Sequence, residues 1–155
     1  VYKRQPPPSK RGDVFRQAAL KALDTLSRNP DGFFLMIEGS NIDKAAHSSN
    51  LEEMMEELLD FDRTAGAVLD WASKHPGTLV VITADHNTGA FALTGGSREK
   101  GEITARFGSG SHDGVAVPVY AFGAGSGAFT GIYENTAIFS KIMDAFKKGA
   151  GKPVR

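Results

Sequence analysis

Two continuous apolar runs, FFLMI at Phe33–Ile37 and TLVVIT at Thr78–Thr83, constrain the fold more than any other feature of this chain. Neither alternates with polar residues, which is the pattern of a strand covered on both faces in a parallel sheet. Between them, Leu51–Lys74 sets Leu51, Met54, Met55, Leu58, Leu59, Phe61, Ala65, Val68, Leu69 and Trp71 on one broad face, opposite Glu52, Glu53, Glu56, Glu57 and Asp60. One long helix is expected there, closed by His75-Pro76-Gly77. Strand, crossover helix and strand make a right-handed βαβ unit, so the expected class is α/β: a three-layer αβα arrangement with a mostly parallel central sheet. In such sheets ligands bind beyond the carboxyl ends of the strands.

The remaining segments extend this alternation. From Asp13, a cap candidate, the residues Val14, Phe15, Ala18, Ala22, Leu23 and Leu26 recur at helical spacing and stop at Asn29-Pro30-Asp31-Gly32. Phe91–Leu93 reads as a short strand, Thr94–Gly114 as a Gly/Ser/charge-rich loop, Pro118–Phe122 as a third main strand and Asn135–Lys147 as a closing helix. Residues 1–12 are Pro-rich and basic and read as a disordered or artefactual leader; VYKRQ resembles the read-through of a sequencing-library adapter, as expected of a reading frame truncated at its 5′ end. Residues 13–150 then form one domain and residues 151–155 a tail.

Composition removes several classes. Lys plus Arg and Asp plus Glu each number 18, so no basic excess argues for a nucleic acid or anionic membrane partner. No apolar run approaches the roughly 18 residues of a membrane span. With no cysteine, thiolate metal sites and disulfides are excluded, and any metal must be held by imidazole and oxygen.

Such ligands occur just past the apolar runs. Glu38 ends the first, and Asp43 and His47 follow at i and i+4, with Cβ atoms about 6 Å apart on a helical turn. Asp85 and His86 end the second, where a bend can turn two adjacent side chains toward one point. His112 lies in the loop before the third strand. Singly, each has an ordinary explanation: a helix-stabilising pair, a capped turn, a solvent-facing imidazole. Together they use three of the four histidines, and His75, beside Pro76, needs only a capping role. Asp43, His47 and His112 supply the three protein ligands that a catalytic zinc takes beside an open position.

Three colinear stretches carry a family resemblance. EGSNIDKAAH resembles the E-G-x-x-I-D-x-x-x-H segment of alkaline phosphatases, and VVITADHNTGA resembles their strand ending in T-A-D-H. SGSHDGVAVPVYAFGAGSGAFTGIYENTAI resembles their S-H-[TS]-G, V-P-x-[FY]-A-x-G and F-x-G-x-x-[DE]-N-T stretches. The resemblance covers nearly all of Asp13–Lys147 and implies the C-terminal portion of one alkaline-phosphatase-like catalytic domain.

It implies two zinc ions and one magnesium: Asp43, His47 and His112 as ligands of the first zinc, Asp85 and His86 of the second, Glu38 of the magnesium. The implied reaction is phosphate monoester hydrolysis through a covalent phosphoserine, by a homodimer in a periplasmic or extracellular location. The family's nucleophile, in a D-S-A or D-T-type helix start, its bridging Asp and its phosphate-gripping Arg have no counterpart here, so the chain alone is expected to be inactive. SHDG, in place of the commoner SHTG, is a second departure. A different hydrolase or mutase of the same superfamily, or a catalytically inert metal-binding fragment, is the alternative.

Overall fold

Helix α4 (Leu51–Ser73) is the axis on which the other elements are assembled. Asn50 starts it, accepting a hydrogen bond from the Glu53 backbone N–H at 3.1 Å and so satisfying one of the donors a helix N-terminus leaves unpaired. The computed structural model describes residues 6–149. Before α4 come α1 (Pro8–Arg11), α2 (Val14–Leu26) and α3 (Ser40–His47); after it come β1 (Leu79–Thr83), β2 (Asn87–Thr88), β3 (Ala92–Ser97), β4 (Glu102–Arg106), β5 (His112–Asp113) and β6 (Val119–Gly123). A 3-10 turn at Ser126–Phe129 and α5 (Ala137–Gly149) complete the order. The adapter-like first five residues and the expected tail lie outside the described residues.

The helices and the main apolar strand fall where the pattern places them, but the expected parallel sheet is not formed among the described residues. Every strand pair there is antiparallel: β1 with β6, β2 with β5, and β3 with β4. A parallel return needs a crossover, usually a helix, and the chain between β1 and β6 contains only short strands and turns, so β6 comes back beside β1 in the opposite direction. Phe33–Ile37 alternates in burial but forms no strand and pairs with none among the described residues, leaving Phe34 and Met36 exposed.

The loop expected over Thr94–Gly114 is instead largely a hairpin. Ala92–Arg106 folds as β3 and β4 across a turn in which Gly101 has φ +65°. Its strands are exposed almost throughout, so no apolar alternation marked them in the sequence.

Two further expectations are corrected at α4. Glu57 and Asp60 are buried, at 4% and 2% exposure, whereas Leu58 and Leu59 are exposed at 42% and 49%. The cause lies in the expected disordered leader: Pro8–Arg11 is a helical turn, Pro8 is buried, and Arg11 donates to Glu57 at 2.9 and 2.7 Å and to Asp60 at 2.7 Å. Buried carboxylates are tolerated when paired and hydrogen-bonded, and Arg11 supplies both conditions. Its guanidinium is held charged above its ordinary range, chiefly by the Glu57 hydrogen bond. Asp13 caps nothing through its side chain; it pairs with Arg16 at 2.8 and 2.5 Å.

The small apolar core bears directly on the site. Ala45, Ala46 and Met54 are buried together, with Ile42, Leu51, Phe91 and Phe107 packed around them. These contacts fix one face of α3 on α4, which leaves Asp43 and His47 on the other face.

Candidate metal centre

Three ligand atoms converge above α3. His47 Nε2 lies 3.4 Å from Asp43 Oδ1 and 3.0 Å from His112 Nε2, and His112 Nε2 lies 3.5 Å from Asp43 Oδ1. Asp43 and His47 come from successive turns of one helix, and His112 arrives from β5, 65 residues after His47. A tetrahedral ion with bonds of about 2.0–2.1 Å sets neighbouring ligand atoms about 3.3 Å apart, and the three edges bracket that value. The donor set therefore fits a zinc-sized cation with one side left open.

Glycine at position 89 brings the strand end against α3. Gly89 has φ +82°, and a Cβ there would lie 2.9 Å from Phe107 Cδ1 and 3.2 Å from the Ala46 carbonyl oxygen. That close approach carries Thr88 to Asp43: the buried Thr88 hydroxyl donates to Asp43 Oδ1 at 2.7 Å. Because the carboxylate can only accept, the same hydroxyl oxygen accepts from His86 Nδ1–H at 3.2 Å. His86 Nε2, 3.2 Å from Asp85 Oδ2, is then the nitrogen the neutral ring would offer a metal.

His47 is fixed in the same sense. Its Nδ1 lies 2.7 Å from the Gly110 carbonyl oxygen, which only accepts, so Nδ1 donates and Nε2, on the Asp43 side, is the nitrogen the neutral ring would offer a metal. Donation of the second ring nitrogen to a carbonyl is the arrangement that orients imidazole ligands in metal sites. The His86 and His112 rings stack at 3.5 Å, which links the two groups, and one ligand atom from each of Asp43, His86 and His112 lies within 4.8 Å of the others.

Asp85 and His86 meet because the chain bends immediately after β1, overriding strict alternation of side chains. Asp85 is 84% exposed, at the rim of the cluster. Glu38 is exposed, on the same side of its segment as Phe34 and Met36, and makes no hydrogen bond or ion pair to the cluster among the described residues. His75 donates from Nδ1 to the Trp71 carbonyl oxygen at 2.7 Å and stacks on that indole at 3.7 Å, a helix-end role away from the cluster.

Sequence reading missed Thr88 and Asp113. Thr88 offered a usable signal, a hydroxyl two residues after His86; Asp113 accepts hydrogen bonds from Asn87, Ala90 and Val115, a role visible only once β2 and β5 are paired.

A chain of helices and small antiparallel sheets with an imidazole and carboxylate cluster beyond a strand end is thus defined. This chain belongs to the alkaline phosphatase family, whose model, described as alkaline phosphatase, matches residues 10–105. It is 44% identical over 85 residues to alkaline phosphatase 4 of Bacillus subtilis, covering 55% of this chain and 18% of that protein. Streptomycin-6-phosphate phosphatase of Streptomyces griseus is 35% identical over 131 residues, covering 74% of this chain and 29% of that protein. Among solved structures, a His-to-Glu variant of TAB5 alkaline phosphatase with Mg bound in its M3 site superposes with a TM-score of 0.85 at 37% identity, covering 94% of this chain and 45% of that one. The chain spans less than half the length of each of these relatives.

Proposed function

We propose that this chain is part of a metal-dependent phosphate monoesterase, an alkaline phosphatase that uses two zinc ions and one magnesium. The observation that carries the reading is the triangle of Asp43 Oδ1, His47 Nε2 and His112 Nε2, with edges of 3.0–3.5 Å and an open side. Asp43, His47 and His112 would hold the first zinc, Asp85 and His86 part of the second, and Glu38 part of the magnesium site. When bound, the paired ions supply Lewis-acid stabilisation of the attacking and leaving oxygens of phosphoryl transfer. The chain's own contribution is orientation. Gly110 and Thr88 engage Nδ1 of His47 and His86, so that Nε2 of each faces the other ligand atoms, and the exposure of Asp85 and His112 leaves the cluster open to a phosphate monoester.

No D-S-A motif occurs in these 155 residues. We therefore place the nucleophilic Ser or Thr, the bridging Asp and the phosphate-gripping Arg on the part of the domain outside them, so that this chain alone binds zinc without turnover. The same completion would supply parallel neighbours for Phe33–Ile37 and cover Phe34 and Met36. A homodimer and an exported location belong to this reading; among the described residues no helix is long and apolar enough to cross a membrane.

The test is to express the longer reading frame that contains this sequence and assay p-nitrophenyl phosphate hydrolysis with and without zinc. Zinc-dependent turnover is expected. A full-length protein inert toward all monoesters rejects the proposal, activity confined to diesters or sulfate esters moves it to another branch of the superfamily, and hydrolysis by the 155-residue chain alone overturns the placement of the nucleophile.

A further inference from the structure

The two-residue ladder between β2 and β5 decides which of two ligand-capable neighbours enters the cluster. Its register pairs Thr88 with His112 and Asn87 with Asp113. Side chains alternate across a ladder, so Thr88 and His112 share the face toward Asp43 while Asn87 and Asp113 share the other. A slip by one residue would exchange the faces and turn a carboxylate, in place of an imidazole, toward His47. So short a ladder has little register preference of its own.

We infer that Asp113, paired with Asn87, is the positioning residue that fixes this register and so places the His112 imidazole in the metal cluster. The inference rests on the metal-binding reading above and names a part of it that the family resemblance does not supply, because Asp113 stands at the departure from S-H-[TS]-G. Its carboxylate accepts from Asn87 Nδ2 with both oxygens, at 3.1 and 2.9 Å, from the Ala90 N–H at 2.9 Å and from the Val115 N–H at 3.1 Å. Two of these donors lie on the β2 side and one on its own loop, so the carboxylate staples the segments together. A threonine offers one hydroxyl oxygen to the same donors, whereas a carboxylate offers two oxygens with about four lone-pair sites.

Strain at the junction makes the staple necessary. Ala90 has φ +44°, a left-handed conformation that a residue with a Cβ avoids, and it follows Gly89 at φ +82°. The Ala90 N–H that Asp113 accepts belongs to that strained residue, and Gly89 in turn donates to the Ser111 carbonyl oxygen at 2.9 Å, one residue before His112. Asp113 makes no hydrogen bond to a ligand side chain of the cluster; it positions His112 through the backbone that carries it.

The test uses the full chain with Asp113→Ala, Asp113→Asn and, as a control, Asp144→Ala on the exposed surface of α5. Zinc affinity is measured by competition with a chromophoric chelator at a temperature where circular dichroism shows every variant folded. Asp113→Ala is expected to weaken zinc binding about 10–100-fold, the range for outer hydrogen-bond partners, with Asp113→Asn intermediate and the control unchanged. In the metal-free chain, nuclear Overhauser contacts between the stacked His86 and His112 rings should be lost in Asp113→Ala and kept in Asp113→Asn. A variant that melts earlier but binds zinc within about twofold of the parent and keeps the ring contacts overturns the positioning role. Equal zinc binding by the parent and His112→Ala rejects the metal reading instead, and the ring contacts then decide the register claim by themselves.

Discussion

Arg11 grips the Glu57 carboxylate through both terminal nitrogens, at 2.9 and 2.7 Å, and the second of these nitrogens also reaches Asp60 at 2.7 Å. Glu57 in turn accepts from Asn41 on α3 at 3.2 Å, so the pair ties the first helical turn, the ligand-bearing helix and α4 together. Removing one partner of a buried ion pair leaves the other charge uncompensated, at a cost of about 3–5 kcal/mol. Arg11→Met is therefore expected to lower stability by roughly that amount, and Arg11→Lys to recover only part of it because an ammonium cannot form the fork. Urea unfolding of the three proteins checks both statements; equal midpoints for the parent and Arg11→Met would show that the pair contributes nothing.

Arg11 also marks the limit of what the sequence discloses. Periodicity located α2, α4, α5 and the β1 and β6 strands, because their burial follows spacings that a single chain carries in itself. Burial of Glu57 and Asp60 was not legible, since it depends on a partner 46 to 49 residues away in a segment with no apolar pattern. The same holds for strand direction. Apolar runs announce two-sided cover but not the neighbour that supplies it, and β1 took β6, antiparallel, by way of a helix-free connection. The candidate site was legible as residue types beyond strand ends, whereas the Thr88 and Gly110 contacts that select the imidazole tautomers exist only in the folded chain.

Two glycines should respond to alanine with opposite sign. Gly66, inside α4, has nothing within 4 Å of an added Cβ, so Gly66→Ala gains helix propensity and is expected to stabilise by about 0.5–1 kcal/mol. Gly89 is left-handed and its Cβ would meet Phe107, so Gly89→Ala is expected to cost about 1–3 kcal/mol and to push Thr88 away from Asp43. Thermal melts give the signs. A stabilising Gly89→Ala would contradict the close packing of the strand end on α3.

Acid should act through Asp113. Hydrogen bonds from the Val115 backbone, the Asn87 side chain and the Ala90 backbone hold its carboxyl below the ordinary 3.8. A depressed folded value means that the unfolded chain binds the proton first: the contribution is complete above the ordinary carboxylate value and is lost as pH falls through the folded one. Metal-free protein is thus expected to lose stability on acidification below pH about 4, with a shallower slope in Asp113→Asn. Unfolding midpoints at a series of pH values check this, and parallel curves for the two proteins would remove Asp113 from the acid response.

Asp43 is where the contacts of the cluster cross. One oxygen, Oδ1, lies 2.7 Å from the Thr88 hydroxyl, 3.4 Å from His47 Nε2 and 3.5 Å from His112 Nε2. Asp43→Asn keeps the shape but removes the charge that a divalent ion requires, so zinc affinity should fall by more than the roughly 10–100-fold that an outer partner such as Thr88 contributes, and further than in Thr88→Val. Zinc at about 100 times its dissociation constant should stabilise the parent by about 2.7 kcal/mol. At the same zinc concentration that increment should nearly vanish in Asp43→Asn, His47→Ala and His112→Ala, and persist in His75→Ala, whose imidazole is committed to Trp71. Melting curves with zinc and with chelator separate the outcomes: a zinc-induced shift of parental size in Asp43→Asn would mean that the ion binds elsewhere on the chain.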